Sequence, residues 1–363
     1  MIGKIRGKLL VGAVAVVIAL GLLGLAAGCG APAPTEKIEL VYASYLDPLM
    51  AISKNSVNYL KELEKISDGL VTVKQYAYMS SMFGASDLIP ACGKGLADVV
   101  VSAPLYTPAL TPYAAVTEMP YCTEMLGADA WAKAKLYEEF EPYRKQYEDN
   151  NVKILIFIPS SPSSAGVRGV VNSLVECKGL TMRAYGTIGE CLQAAGITPV
   201  ALSVSDVYTG MERGTIEGWA GLPLGGLEGT GLLDVTKTLI DPGFGMYGSC
   251  SLAMNMDVYK KLPAKVKDWI EDMRKGYVLE MAKFSTESEF ATMKIVKEKG
   301  IKVVASTPEQ KLAFKQLVNP ETTIHAKYIK ELEGKGLQGQ KCFDTFMKYV
   351  KEWEPKSPYK SPY

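Results

Sequence analysis

Along most of the chain, apolar residues fall at strand or helix spacing, and the order of these runs predicts an α/β protein of two lobes. Ile38 to Tyr45 is an apolar run that reads as a strand. From Pro48 to Ser67, Met50, Ile52, Val57, Leu60, Leu63 and Ile66 recur at three- and four-residue steps, so a helix is predicted, closed by Gly69. Val71 to Tyr76 predicts a second strand, Ser86 to Lys94 a short helix, and Ala97 to Val101 a third strand. Strand–helix–strand–helix–strand order argues for a parallel sheet with helices on both faces. The second half repeats this logic. Ala128 to Tyr147 predicts a helix, Val152 to Ile158 a buried strand, and Gly179 to Ala184 a short strand ending in Arg183. Ile188 to Ala195 and Val204 to Arg213 predict helices closed by Gly196 and Gly214.

Between Pro263 and Lys299, Val266, Ile270, Met273, Tyr277, Met281 and Phe284 keep helical steps, with Pro263 in the first turn. One helix of about 36 residues would run about 54 Å, long enough to brace two lobes. Ile301 to Ala305 predicts a strand returning to the second lobe. The expected division is lobe 1 from 38–160 plus about 246–262, lobe 2 from 161–245 plus about 300–320, a bridging helix at 263–299 and C-terminal helices at 321–354. The tail, 355–363, contains the repeat Lys356-Ser-Pro-Tyr-Lys-Ser-Pro-Tyr363 and is expected to be disordered. Two lobes of mixed sheet flanked by helices, joined by crossing strands, predict a cleft that closes like a hinge around a ligand. The ligand would sit beyond the carboxyl ends of the strands.

Composition changes this picture at the N-terminus. Lys4, Arg6 and Lys8 precede an unbroken apolar run from Leu9 to Leu25, then Ala26, Ala27, Gly28 and Cys29. Basic, apolar and small segments in that order make 1–28 a secretory signal peptide. The small residues before the cysteine resemble a bacterial lipobox, although Ala26 stands where Leu is usual. That implies cleavage before Cys29 and lipidation of its thiol, with 29–37 as a tether. The alternatives are an uncleaved membrane anchor and simple secretion; all three place the body outside the cytoplasm. Taking Lys4, Arg6 and Lys8 from the 40 basic residues leaves 37 against 39 acidic, a net charge of −2. A near-neutral body has no electrostatic footprint for nucleic acid. Cys92, Cys122, Cys177, Cys191, Cys250 and Cys342 permit disulfides or buried free thiols, and the sequence does not choose. None is spaced as C-x-x-C, so no metal site is called for.

Catalytic signatures are missing. There is one histidine, His325, on a predicted helix, where a surface or packed role is expected. No G-x-S-x-G, Walker loop or G-x-G-x-x-G occurs, so neither an enzyme nor a bound cofactor is expected.

The informative stretch is Lys178-Gly-Leu-Thr-Met-Arg183, followed by Ser205-Asp-Val-Tyr-Thr-Gly-Met-Glu-Arg-Gly-Thr-Ile-Glu-Gly-Trp219. It resembles the solute-binding proteins of tripartite ATP-independent periplasmic (TRAP) transporters, whose pattern is a "lkGlkiR" strand and then "s-e-v-Y-t-A-l-q-x-G-v-v-D-G". Gly210, Glu212, Arg213 and Glu217 depart from it. Leu96-Ala-Asp-Val-Val100 and Val258-Tyr-Lys-Lys-Leu-Pro263 extend the likeness. The resemblance implies a two-lobed periplasmic binding protein fold, a small organic acid as ligand, and TRAP membrane subunits as partners. It also implies that Arg183 clamps the ligand carboxylate, which suits the rigid fork of a guanidinium. Arg168 falls near a second ligand-facing arginine of many relatives. Trp219 is expected as a cleft wall, and Tyr45, Ser102 and Tyr106 as lip residues by position. Aromatic and aliphatic residues at these positions favour a monocarboxylate with an apolar or aromatic body. The alternative function is a receptor lipoprotein of an ATP-driven importer, which shares the two-lobe plan.

Overall fold

The computed structural model describes residues 37–363; the expected signal peptide, Cys29 and the expected tether up to residue 36 lie outside the described residues. Lobe 1 is built on a five-stranded sheet of order β2-β1-β3-β10-β4. Its strands are β1 (Ile38–Ala43), β2 (Val71–Ala77), β3 (Val99–Ser102), β4 (Val152–Ile158) and β10 (Cys250–Asn255). β1 and β3 run parallel, and β10 is antiparallel to both β3 and β4. All six residues of β10 are buried, as are six of the seven in β4. This explains why β4 reads as a continuous apolar run: a strand covered on both faces does not alternate.

Lobe 2 carries a six-stranded sheet of order β11-β9-β5-β8-β6-β7. Its strands are β5 (Ser163–Val167), β6 (Thr181–Arg183), β7 (Thr198–Val200), β8 (Gly218–Pro223), β9 (Thr238–Asp241) and β11 (Lys302–Ala305). β6 pairs in parallel with β7 and β8, while β5 is antiparallel to β8 and β9. Each sheet is mixed, so the expected α/β two-lobed plan with helices flanking each sheet is what forms. β5 to β9 were not all foreseen. They are three to six residues long and carry Ser, Gly and Pro, which leaves little apolar signal.

Three crossings join the lobes: residues 159–162 from β4 to β5, residues 242–249 from β9 to β10, and the helical stretch from β10 to β11. Pro162 and Met246 form a bridge where the first two meet. The second crossing is tied to lobe 1 by a buried charge cluster. Lys133 binds Glu118 and Ser249 Oγ, and the Ser249 amide donates to Glu118 at 3.1 Å.

Three expectations need correction. The 263–299 helix is two helices, Ala264–Gly276 and Val278–Glu298, interrupted at Tyr277. The break lets the first lie along β4 and the second along the Ala51–Ile66 helix. The predicted Ala128–Tyr147 helix likewise divides at Phe140, because Pro142 can occupy only the first turn of the helix it opens. The tail is ordered: Ser357 Oγ donates to Leu126 O at 2.8 Å and the Tyr363 hydroxyl to Ser164 Oγ at 2.6 Å. All six body cysteines are free thiols, five buried and Cys122 half-buried.

Candidate ligand cleft between the lobes

Arg183 ends β6, a short parallel strand whose carboxyl end faces lobe 1. Only 2% of it is exposed. Its Nε donates to Leu202 O at 2.9 Å and its Nη1 to Ala220 O at 3.2 Å. Two backbone carbonyls thus hold the guanidinium plane from opposite sides of the strand. Nη2 donates to the Tyr106 hydroxyl of lobe 1 at 3.3 Å, a bond across the cleft. A guanidinium has five N–H donors, so one N–H on each terminal nitrogen remains for a ligand. Since Nε is occupied, a carboxylate would be met end-on. No carboxylate pairs with Arg183 among the described residues.

Tyrosines wall the cleft. Tyr106 packs edge-on to Tyr45 with ring centroids 5.4 Å apart, and its ring lies 4.6 Å from that of Tyr185. The Tyr45 hydroxyl meets Cys250 Sγ at 3.3 Å, and the Tyr247 hydroxyl donates to Tyr185 O at 2.7 Å. Burial pushes the Tyr45 and Tyr106 phenols above their ordinary range, while Arg183 draws both partly back. Met50, Ile52, Leu105, Val204, Leu222 and Pro223 complete an apolar lining. On the lobe 2 side the wall is shaped by a bulge. Gly221, at φ +79°, is the extra residue where the β5–β8 register shifts. The enclosed space is about 30 Å³, room for about one water. A solute with a ring must therefore enter with the lobes further apart. Against the C-terminal helices lies a broader depression of about 640 Å³, lined by Tyr121, His325 and Lys351 among others. It is shallow, and its His325 packs on Pro120 O at 2.9 Å, so the cleft is the better candidate.

The structure brings Arg183, Tyr45 and Tyr106 together and leaves three expected residues elsewhere. Trp219 is fully buried behind the wall, where its indole covers Gly166 and donates to Thr236 Oγ1 at 3.1 Å. It is core packing for lobe 2, not a wall. Ser102 is sealed between strands, with its Oγ 3.2 Å from Ser251 Oγ. Arg168 is exposed just past the carboxyl end of β5, at the start of β8: Val167 pairs with Gly218, and the Arg168 amide donates to Glu217 O at 3.0 Å. Antiparallel pairing thus places it at the end of β8 opposite to Gly221, Leu222 and Pro223, which line the cleft. Tyr185 and Tyr247 were missed. Tyr185 had a signal, two residues beyond the clamp; Tyr247 reaches the site only because residues 242–249 cross between the lobes.

The family model for bacterial extracellular solute-binding proteins, family 7 (DctP), matches residues 43–330. Over 304 residues the chain is 23% identical to the ectoine-binding periplasmic protein TeaA of Halomonas elongata, covering 81% of this chain and 85% of that protein. A TRAP solute binding protein of Rhodoferax ferrireducens in complex with copurified benzoate superposes with a TM-score of 0.79 at 18% identity, covering 88% of this chain and 99% of that one. A TRAP periplasmic solute binding protein of Bordetella bronchiseptica with bound mandelate does so with a TM-score of 0.74 at 19% identity, covering 87% and 99%. The two-lobe plan alone is shared with receptors of ATP-driven importers, and the family match decides between them. Because that match spans most of the chain, this protein belongs to the DctP family of TRAP solute receptors, which bind and deliver solutes and are not enzymes.

Proposed function

We infer that this receptor takes a monocarboxylate with an apolar or aromatic body, held end-on by Arg183, and hands it to the TRAP membrane subunits. The observation that carries the reading is a cation 2% exposed with no carboxylate partner among the described residues. A buried charge is costly unless paired, and a ligand carboxylate would supply the pair. With one such cation in the lining, a second ligand carboxylate would be buried unpaired. The walls argue against a polyol, whose hydroxyls each need a fixed partner. An apolar body needs only a dry surface, and its burial yields about 25 cal/mol per Å². Benzoate and mandelate, bound by two proteins of the same fold, are aromatic carboxylates.

The test is a melting-temperature screen followed by calorimetry, comparing benzoate, mandelate, a branched-chain 2-oxo acid, succinate and a sugar acid. A solute at 100 times its Kd adds about 2.7 kcal/mol of stability. Tight binding of succinate or the sugar acid, with none of the first three, would overturn the reading. The basic, apolar and small-residue order before Cys29 further supports a mature protein that begins at a lipidated Cys29 and is anchored to the membrane. Mass spectrometry of the native N-terminus decides this, and an intact Met1 or an unmodified Cys29 would reject it.

A further inference from the structure

The repeated Ser-Pro-Tyr of the tail has no part in the cleft, yet each copy makes the same turn. The Tyr359 amide donates to Ser357 Oγ at 3.2 Å, and the Tyr363 amide to Ser361 Oγ at 3.3 Å. A serine hydroxyl taking the amide two residues on is a local turn that the intervening proline stiffens. The path of the tail is anchored at both ends. In lobe 1, Ser357 Oγ binds Leu126 O at 2.8 Å, and the Trp353 ring lies over Gly127, where a Cβ would come within 2.6 Å of it. In lobe 2, the Tyr363 hydroxyl donates to Ser164 Oγ at 2.6 Å. Between these points, Tyr359 lies beside Glu289, which also faces Ser161 of the first crossing. Glu289 is 1% exposed, and its Oε2 has no hydrogen-bond partner among the described residues. The hydroxyls of Ser160 and Ser163, on either side of Ser161 in the chain, are likewise buried and have no partner among the described residues. The hinge is therefore a polar, incompletely bonded region, and the tail runs against it at Glu289 and Ser164.

Ser164 is also the point where the cleft wall is shaped. It pairs with Leu222, the next pair is Ala165 with Ala220, and Gly221 is the bulged residue between. Gly221 and Leu222 both line the cleft. We propose that residues 357–363 are a strap across the hinge, in which Tyr363 is a positioning residue for solute binding: it acts through Ser164 to hold the bulged wall of lobe 2 against lobe 1. Burial pushes the Glu289 carboxyl up to about 8, with Ser161 and Tyr359 pulling it part of the way back. At neutral pH it is then mostly protonated, and the strap lies over a polar but largely neutral site.

The test uses the full chain with Tyr363→Phe, Ser164→Ala and the double variant. Hydrogen exchange is read at 159–165 and 220–224 without solute, and dissociation rates are read with benzoate. Tyr363→Phe should speed exchange in those two segments, and solute dissociation, by about two- to tenfold, the size of one neutral hydrogen bond. The melting temperature should stay near that of wild type. Ser164→Ala should do the same, and the double variant no more than either alone. Unchanged exchange at both segments overturns the strap. So does faster exchange spread evenly over the molecule, or additive single variants. Because exchange needs no solute, failure of the wild type to bind any carboxylate would reject the proposed ligand and leave this test standing.

Discussion

Two arginines of this protein are almost fully buried, Arg274 at 1% and Arg183 at 2% exposed, and they are held differently. Arg274 lies against lobe 1. It binds Glu271 through both terminal nitrogens at 2.5 and 3.0 Å, donates to Ile154 O at 3.3 and 3.2 Å, and covers the Tyr137 ring at 5.0 Å. Burial alone would push the Glu271 carboxyl up, but Arg274 and Lys153 outweigh it and bring it down to about 2. Arg183 has two carbonyls and a phenol instead, and no internal carboxylate among the described residues. The same side chain at the same depth is thus a brace where the protein supplies the counter-charge; where it supplies none, the proposed function gives that place to a solute carboxylate. Arg168, exposed outside the cleft, is neither.

This contrast can be broken in four ways. The largest effect is expected from Arg183→Ala. Removing one partner of a desolvated, hydrogen-bonded charge pair costs about 2–5 kcal/mol, a loss of roughly 30- to 5,000-fold in solute affinity. Arg183→Lys should recover little, because a point charge replaces a fork. Calorimetry on the folded variants checks this, and binding by Arg183→Ala within threefold of wild type would place the clamp elsewhere. Next comes Tyr106→Glu, which gives Arg183 an internal carboxylate from the opposite lobe. Affinity should fall by more than about tenfold, since the solute must compete with a tethered partner; unchanged affinity would show that the absent counter-charge is not what makes the site.

Glu271→Ala should act on stability and not on binding. It removes charged hydrogen bonds worth about 1–3 kcal/mol, with the lower part of that range favoured because Glu271 is 42% exposed. Its carboxyl is lowered on folding, so its contribution is present above the ordinary carboxylate range and lost as pH falls through that range towards 2. Denaturant unfolding at pH 7 and pH 3 should show the variant less stable at the first and closer to wild type at the second. A matching loss of solute affinity would erase the distinction between the two arginines. Smallest of all is Arg168→Ala, expected within twofold in affinity and about 0.5 kcal/mol in stability, as for an exposed charge away from any site.

How much was legible differed between the lobes. In lobe 1, β4 and the Ala51–Ile66 helix could be read because runs of large apolar residues carry a periodicity. Lobe 2 was harder: its strands are short and rich in small residues, and β8 takes its shape from a glycine bulge set by its neighbour. Arg183 was legible because it stands in a local motif at a strand end. Trp219, in the same motif, was misjudged because alternate residues of a strand point to opposite faces, and the face was not known. The Ser-Pro-Tyr repeat was visible but read as disorder, since nothing local tells that Ser164 and Leu126 wait for it.

The sequence by itself determined the class of fold and the family, and it singled out Arg183 as the candidate clamp, because these rest on periodicities and spacings within about forty residues. Only the tertiary structure decided which residues share the cleft. Tyr106 meets Arg183 across 77 positions of chain, and Tyr45 meets Cys250 across 205. Antiparallel pairing set Arg168 beside the start of β8, away from the end that lines the cleft. Such meetings depend on strand direction and on crossings between lobes, which follow from packing the whole chain at once and leave no mark on any one segment.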